Sequence, residues 1–433
     1  MKTRRSKSPL TLLSALLIAL CICSCGTVGN SSLSSSEQSS APPPEPDPIT
    51  VTVGATGDFL IHTPIITSYK KADGSYDFND IFKYVSEYYG KFDYFVGNLE
   101  VTFGGNYCGY VGNGSTFNCP DAFADAVIAS GTDMVLTANN HSYDTGSTGL
   151  RRTRDVLTEK GLSFTGSYYD GDKKYLVADV GGVKIGMINY TYQTGDLTNY
   201  SLNGRSMLPE DANHVNMFSA NHLEEFYADM KANIDLMYAD GAEAIMLYIH
   251  WGNEYHQEPD GIQKAIAQKM CDLGVDVIVG GHPHVIEPID IISSNVSGKQ
   301  TVCIYSTGNA VSNQRIHEMK NTGKAFPCVA NGASEDGVIF SVSFTKKGNG
   351  EVIVSAIDAM PTWVNLYWQD GIRHYQIIPL DKSKDFSTSF NLSAVENGPT
   401  LANNSYNRTM SLLESGLRKF ETEYKMTDIR KAG

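Results

Sequence analysis

The chain has 433 residues, 41% of them hydrophobic and 19% charged, with a formal net charge of -14 at pH 7. That length and apolar content allow one large core or two modest ones and exclude a wholly disordered chain. The acidic balance, with no basic run past the extreme N-terminus, speaks against a nucleic-acid partner.

The first stretch reads as an export signal: Lys2, Arg4, Arg5 and Lys7 precede an apolar run from Leu10 to Cys23 that is short for a bilayer span. Ile22-Cys23-Ser24-Cys25 is similar to a bacterial lipobox, which would place a lipid on Cys25. Residues 1–25 are therefore expected to be a signal peptide and the protein an extracytoplasmic, membrane-anchored lipoprotein, with simple secretion or an uncleaved anchor as alternatives. Residues 26–48 are Ser-rich and then Pro-rich, a composition that cannot form a core and serves as a disordered tether. The folded domain is expected over residues 49–380, followed by a polar linker and a C-terminal helix over 381–433. Export permits disulfides, and Cys108 and Cys119 flank a Gly- and Asn-rich loop that one would close; Cys271 and Cys303 read as buried thiols.

Thr50 to Ala55 predicts a strand that delivers Gly57-Asp58 to its C-terminal end. A helix is expected over Asn79 to Tyr89, a strand over Tyr94 to Val96 ending in Gly97-Asn98-Leu99-Glu100, and a helix over Pro120 to Ser130. The strand Asp133 to Thr137 leads to Asn139-Asn140-His141, then a helix over Ser147 to Lys160. Tyr175 to Val180 and Val183 to Tyr190 read as a hairpin around Gly181-Gly182, followed by a polar excursion from Thr191 to Asn213. A helix over Asn221 to Tyr238 precedes the strand Ala244 to Ile249, which ends at His250. A helix over Gly261 to Leu273 and a strand over Val275 to Val279 end at Gly281-His282-Pro283-His284. Strands are expected over Val302 to Tyr305, Val338 to Phe344 and Glu351 to Ile357, and a final helix over Ser405 to Tyr424. This alternation implies an α/β sheet.

The polar signatures gather at strand ends, where a sheet presents them to one rim. Asp58 and Glu100 taken singly are turn or capping carboxylates, yet together they suit a cation. A carboxamide at Asn140 can ligate a hard metal, and His141 can polarise a substrate oxygen, with Asp144 three residues on placed to fix its tautomer. His250 emerges from an apolar strand, and His282 and His284 flank a proline, so the two imidazoles can serve neighbouring positions. Trp251 reads as packing, Glu254, Tyr255 and Asn309 as hydrogen-bonding neighbours of the site, and His256 and His317 as solvated.

With Gly57-Asp58, Asn98-Leu99-Glu100, Ala138-Asn139-Asn140-His141 with Asp144, His250-Trp251-Gly252, Gly281-His282-Pro283-His284 and Ser306-Thr307-Gly308-Asn309 in this order, the chain resembles the CapA family of bacterial capsule-synthesis, or poly-γ-glutamate-associated, proteins. These are related to calcineurin-like metallophosphoesterases. The resemblance implies a four-layer α/β/β/α sandwich with two divalent metal ions (Mn, Fe or Zn). By the same carry-over, Asp58 and His284 hold one ion, Asn140, His250 and His282 hold the other, Glu100 bridges them, and His141 acts as acid or oxyanion stabiliser. Related phosphoesterases carry a histidine where this chain has Leu60, with His62 further on as a possible substitute ligand, and an aspartate where it has Glu100. The implied function is metal-dependent hydrolysis or transfer in synthesis, export or anchoring of an anionic polymer such as poly-γ-glutamate, with membrane synthase subunits as partners. A phosphoesterase acting on an extracytoplasmic phosphoester, and a non-enzymatic assembly subunit with a degenerate site, are the alternatives.

Overall fold

Two large sheets account for most of the predicted strands. The computed structural model describes residues 45–315 and 331–424; the expected leader with Cys25, most of the tether, His317 and Cys328 lie outside the described residues. The chain begins with β1 (Ile49–Phe59), β2 (Tyr94–Leu99), β3 (Met134–Leu136) and β4 (Ser163–Thr165), all parallel in that order. It then builds a second sheet from β5 (Tyr175–Val180), β6 (Val183–Tyr192), β7 (Met217–Phe218), β8 (Ala244–His250), β9 (Val277–Gly281), β10 (Ile286–Ser293) and β11 (Gln300–Thr307). Their order is β7-β6-β8-β9-β11-β10, parallel except for the edge strand β10, with β5 antiparallel on β6. β12 (Asn309–Val311) returns to pair with β1, and β13 (Asp336–Lys346), β14 (Val352–Gln369) and β15 (Ile372–Pro379) extend the first sheet as an antiparallel meander.

Alternation along the strands sends one face of each sheet to a shared interior, where Val53, Val96 and Met134 meet Ile185, Met246, Val279 and Ile304. The opposite face of the first sheet packs Phe59, Phe95 and Val135 against α1 (Thr63–Ser68), α2 (Ala122–Ala129) and α3 (Gly146–Lys160). The outer face of the second sheet is covered by α4 (Leu223–Ala239) and α5 (Gly261–Leu273). The result is the expected α/β/β/α sandwich. Each fully buried side chain the size of Phe59 contributes roughly 1.5–3 kcal/mol.

Local chemistry explains where the elements start and stop. α5 has the predicted bounds because Asp260 and Gln263 form a capping box and Gly274 closes the helix in the left-handed conformation. The helix expected over Asn79 to Tyr89 is instead a 3-10 turn, Asn79–Phe82, and a short helix, Ser86–Tyr89. Its backbone bonds span three residues (Ile81 to Phe78, Val85 to Phe82, Tyr88 to Val85), a spacing that buries Phe78, Ile81, Phe82 and Val85 together. The last helix, α6 (Gly398–Glu423), begins ahead of the expected Ser405 because Pro399 suits a first turn. It packs Leu413 and Phe420 into the inter-sheet core and is clamped by Arg408, whose guanidinium donates 2.8 Å bonds to both carboxylate oxygens of Asp336. Cys108 and Cys119 are both free thiols rather than a closed pair, Cys119 being sealed in the aromatic core beside Phe117; Cys271 and Cys303 are buried thiols as expected.

Candidate metal centre

The parallel strands of both sheets end at one rim, and ladder register decides which side chains meet there. Asp58 stands level with Asn98 on β2 and with Asn309 on β12, while His250 stands level with Gly281 and with Thr191. Glycine permits the closest approach: a Cβ at Gly57 would lie 1.9 Å from the Gly308 carbonyl oxygen, and one at Gly280 would lie 1.9 Å from that of Tyr305.

Asp58, Glu100, Asn140, His250, His282 and His284 come together here, each no more than 4% exposed. Asp58 accepts a 2.7 Å bond from the Asn98 carboxamide through Oδ1, and its Oδ2 lies 3.1 Å from Nδ1 of His284. Asn309 Oδ1 lies 3.1 Å from the same nitrogen, which leaves His284 Nε2 turned toward Glu100 Oε1 at 3.8 Å. His250 Nε2 is 2.9 Å from Asn140 Oδ1 and 3.4 Å from Glu100 Oε1. The His282 ring is centred 4.8 Å from that of His250 and 5.9 Å from that of His284.

Glu100 lies at the centre, and both its carboxylate oxygens are buried without a hydrogen-bond partner, as is Nδ1 of His282. Glu100, His282 and His284 offer ligand atoms that all lie within 4.8 Å of one another. Burial, reinforced by Asp58 and Glu254, raises the Glu100 carboxyl well above its ordinary range. Burial likewise lowers His250 to about 3 and His282 well below its usual value, with the neighbouring imidazoles adding to the effect. At Asp58 and His284 burial opposes the charged forms, but their mutual bond prevails and holds the carboxyl low and the imidazole high. A carboxyl that resists ionising beside two imidazoles, His250 and His282, that resist protonation is a donor set whose burial a divalent cation would compensate. The residues present fit such an ion.

Backbone conformation adds a sign of its own. Among non-glycine residues, Tyr255, His282 and His284 have φ of 63°, 98° and 57°, a sparsely populated region that costs of order 1–3 kcal/mol each and gathers at functional sites. His282 precedes a proline, which ordinarily favours an extended conformation.

Beside the cluster opens a cleft of about 430 Å³ lined by His141, His284, Glu254, Tyr255, Asn313 and His62, among others. His141 Nδ1 is 2.8 Å from Asp144 Oδ2, which also accepts the Phe117 backbone N–H at 2.6 Å, so the acid is fixed from two sides. His62 stays outside the cluster: its Nδ1 lies 3.1 Å from the Leu60 carbonyl and 3.2 Å from the Asn313 backbone nitrogen. Glu254 and Tyr255 line the cleft, His256 is exposed, and Trp251 is packing, its indole N–H bonded to the Tyr305 carbonyl at 2.9 Å. Sequence reasoning missed Tyr192, whose ring lies 4.8 Å from that of His282 and parallel to that of His250, and the relay in which Asn139 donates to Asn98 at 3.3 Å and Asn98 to Asp58. Tyr192 ends an apolar strand as His250 does, and that position was the available signal.

The family profile described as bacterial capsule synthesis protein PGA_cap matches residues 52–314, a span that contains every residue of this cluster. The chain belongs to this family. Over 329 residues it is 28% identical to the PGA biosynthesis protein CapA of Bacillus subtilis (strain 168), covering 74% of this chain and 75% of that one. It is 27% identical over 253 residues to the capsule biosynthesis protein CapA of Bacillus anthracis, covering 57% of this chain and 56% of the other.

Proposed function

We propose that this PGA_cap protein acts in capsule biosynthesis as an extracytoplasmic, lipid-anchored hydrolase or transferase on an anionic polymer of the poly-γ-glutamate class, with a dinuclear metal site. The observation that carries the reading is the unpartnered carboxylate of Glu100 among buried imidazoles, one of which, His284, also lines an adjoining open cleft. Asp58 and His284 would hold one ion, Asn140, His250 and His282 the other, and Glu100 would serve both. When bound, divalent metal supplies positive charge for a developing oxyanion and lowers the pKa of water.

The chain's own residues supply the rest. Asp144 takes the bond from His141 Nδ1–H, which leaves Nε2 of the same ring to hold a proton for a leaving group in the cleft. Asn309 and Asn98 fix the His284 ring and the Asp58 carboxylate, so the donor set is pre-organised. No lysine or arginine lines the cleft among the described residues, so an anionic substrate would find its countercharge at the metal cluster. The names of the two relatives support capsule polymer as the substrate class, and the leader with Cys25 supports a place at the outer membrane face beside synthase subunits.

The test is a producing strain whose own copy carries Asn140→Ala or His282→Ala, with polymer yield measured and metal content determined on the purified proteins. Loss of both polymer and metal, with the fold retained, is expected. Full polymer production by a variant that holds no metal would overturn the catalytic reading.

A further inference from the structure

The metal cleft does not end at the cluster. Pro64 lines it and also lines a second hollow of about 410 Å³, walled by Trp368, Ile372 and Arg373 of the β14–β15 hairpin. Ser68 lines that hollow and a third of about 650 Å³, into which Lys70, Lys71, Lys83, Tyr367 and His374 face. The three lie in series along α1, from the rim of the cluster to the far side of the hairpin.

Their chemistry differs from the rest of a chain that carries a net charge of -14. Lys70, Lys71, Lys83 and Arg373 line the two outer hollows, against Asp77 and Asp80. Lys71 pairs with Asp77 at 2.9 Å, and Asp80 is engaged by His374 at 3.3 Å and by Gln376 at 3.0 Å. Lys71 thereby offsets Asp77 and Asp80 is turned to hydrogen-bond partners of its own, while Lys70 and Lys83 form no ion pair among the described residues and stand exposed. Trp368 is 62% exposed, with the Arg373 guanidinium 5.1 Å above its ring, and Tyr367 stacks on His374 at 5.0 Å. Large aromatic surface left in water beside fixed cations is a binding platform rather than a packing remainder.

We propose that this groove is a binding track for an extended polyanion that carries pendant carboxylates spaced by short methylene runs, and that it feeds the chain toward the metal cleft. The cations take the carboxylates, and the faces of Trp368 and Tyr367 cover the methylenes. A small phosphoester would occupy the cleft alone and leave the track unused; a polymer would use all three adjoining hollows, which meet at Pro64 and at Ser68. The inference rests on the polymer reading above and adds where the polymer lies.

The experiment measures fluorescence anisotropy of labelled poly-γ-glutamate with full-length, metal-loaded protein in detergent, across a salt series. The triple variant Lys70→Glu, Lys83→Glu, Arg373→Glu should weaken binding by about tenfold or more and flatten its salt dependence. Trp368→Ala should weaken it severalfold with the salt dependence unchanged. All these side chains are surface groups, and an unchanged thermal midpoint checks the fold. A triple variant that binds as well as the parent overturns the track while leaving the polymer reading intact. A parent that does not bind the polymer at all overturns the polymer reading itself, and the track with it.

Discussion

Replacing Glu100 with Gln separates what this residue costs the fold from what it gives a metal. Both carboxylate oxygens are buried with no donor, and Glu100 has no exposed surface. An unpaired buried polar group costs roughly 1–3 kcal/mol by protein mutational measure, and more if charged. Glutamine keeps the shape, brings an N–H₂ that can donate toward Asp58 or a ring nitrogen, and removes the latent charge. Metal-free Glu100→Gln should therefore be more stable than the metal-free parent by about 1–3 kcal/mol. In the parent, saturating metal at about a thousand times its dissociation constant adds about 4 kcal/mol. The variant loses its central anionic ligand and should gain far less. Scanning calorimetry of chelator-treated and Mn-, Fe- or Zn-loaded protein reads both effects as a crossover: the variant melts higher without metal and lower with it. A variant that melts lower without metal and keeps the full metal-induced rise would refute the assignment of Glu100 as the central ligand.

Other expectations follow from the same geometry. Asp144→Asn should keep its metal, measured by elemental analysis, yet lose about 10–100-fold in turnover and shift the pH profile, because the His141 tautomer is no longer fixed. Arg408→Ala leaves the buried Asp336 carboxylate without its fork and should cost roughly 3–5 kcal/mol in denaturant unfolding, loosening α6 first. Burial lifts Glu287 from 4.5 to about 8, with Gln263 its hydrogen-bond partner. Over that window the unfolded chain is ionised and the folded one is not, so stability is full below pH 4.5 and falls as pH rises toward 8. Glu287→Gln should flatten that slope and be more stable at pH 8 by on the order of a few kcal/mol, read as melting temperature against pH.

The site was legible in the sequence where a polar residue ended an apolar run, because strand ends of parallel sheets converge. Asp58, His250 and the His282–His284 pair each announce themselves this way. The roles within the cluster were not legible, since they depend on which ring nitrogen faces which oxygen: the 3.1 Å contact that ties Asp58 to His284 joins residues 226 positions apart. The edge of the second sheet was missed for a different reason. β10 contains Pro288, which breaks a strand pattern but is tolerated at an edge. That edge is then covered by α6, where Gly416 lets the helix backbone approach, a Cβ there standing 2.3 Å from the Ile289 carbonyl oxygen. β14 runs 18 residues although only Glu351 to Ile357 read as strand, because Asp358 and Pro361 interrupt the alternation while pairing on both sides supports them.

Positive-φ backbone at His282 and His284 persists only if its surroundings outweigh its cost. The bonds that hold it are specific: Tyr255 N–H donates to the Pro283 carbonyl at 2.7 Å, and Trp251 N–H donates to the Gly281 carbonyl at 3.1 Å. The loops that follow β8 and β9 are thus strapped to each other, and the strap is anchored by the Trp251 indole on Tyr305 of β11. Trp251→Phe keeps most of the apolar volume but leaves the buried Tyr305 carbonyl short of a donor, at about 1–3 kcal/mol. If the strap holds the histidines in place, that loss should appear twice, as a lower melting temperature and as weaker metal affinity in a titration, although Trp251 is no ligand. A Trp251→Phe protein that loses stability while binding metal as tightly as the parent would show that the turn holds its conformation without the strap. The cost of the left-handed histidines would then have to be met within the Gly281 to Val285 segment itself, by the bonds of His284 to Asp58 and Asn309.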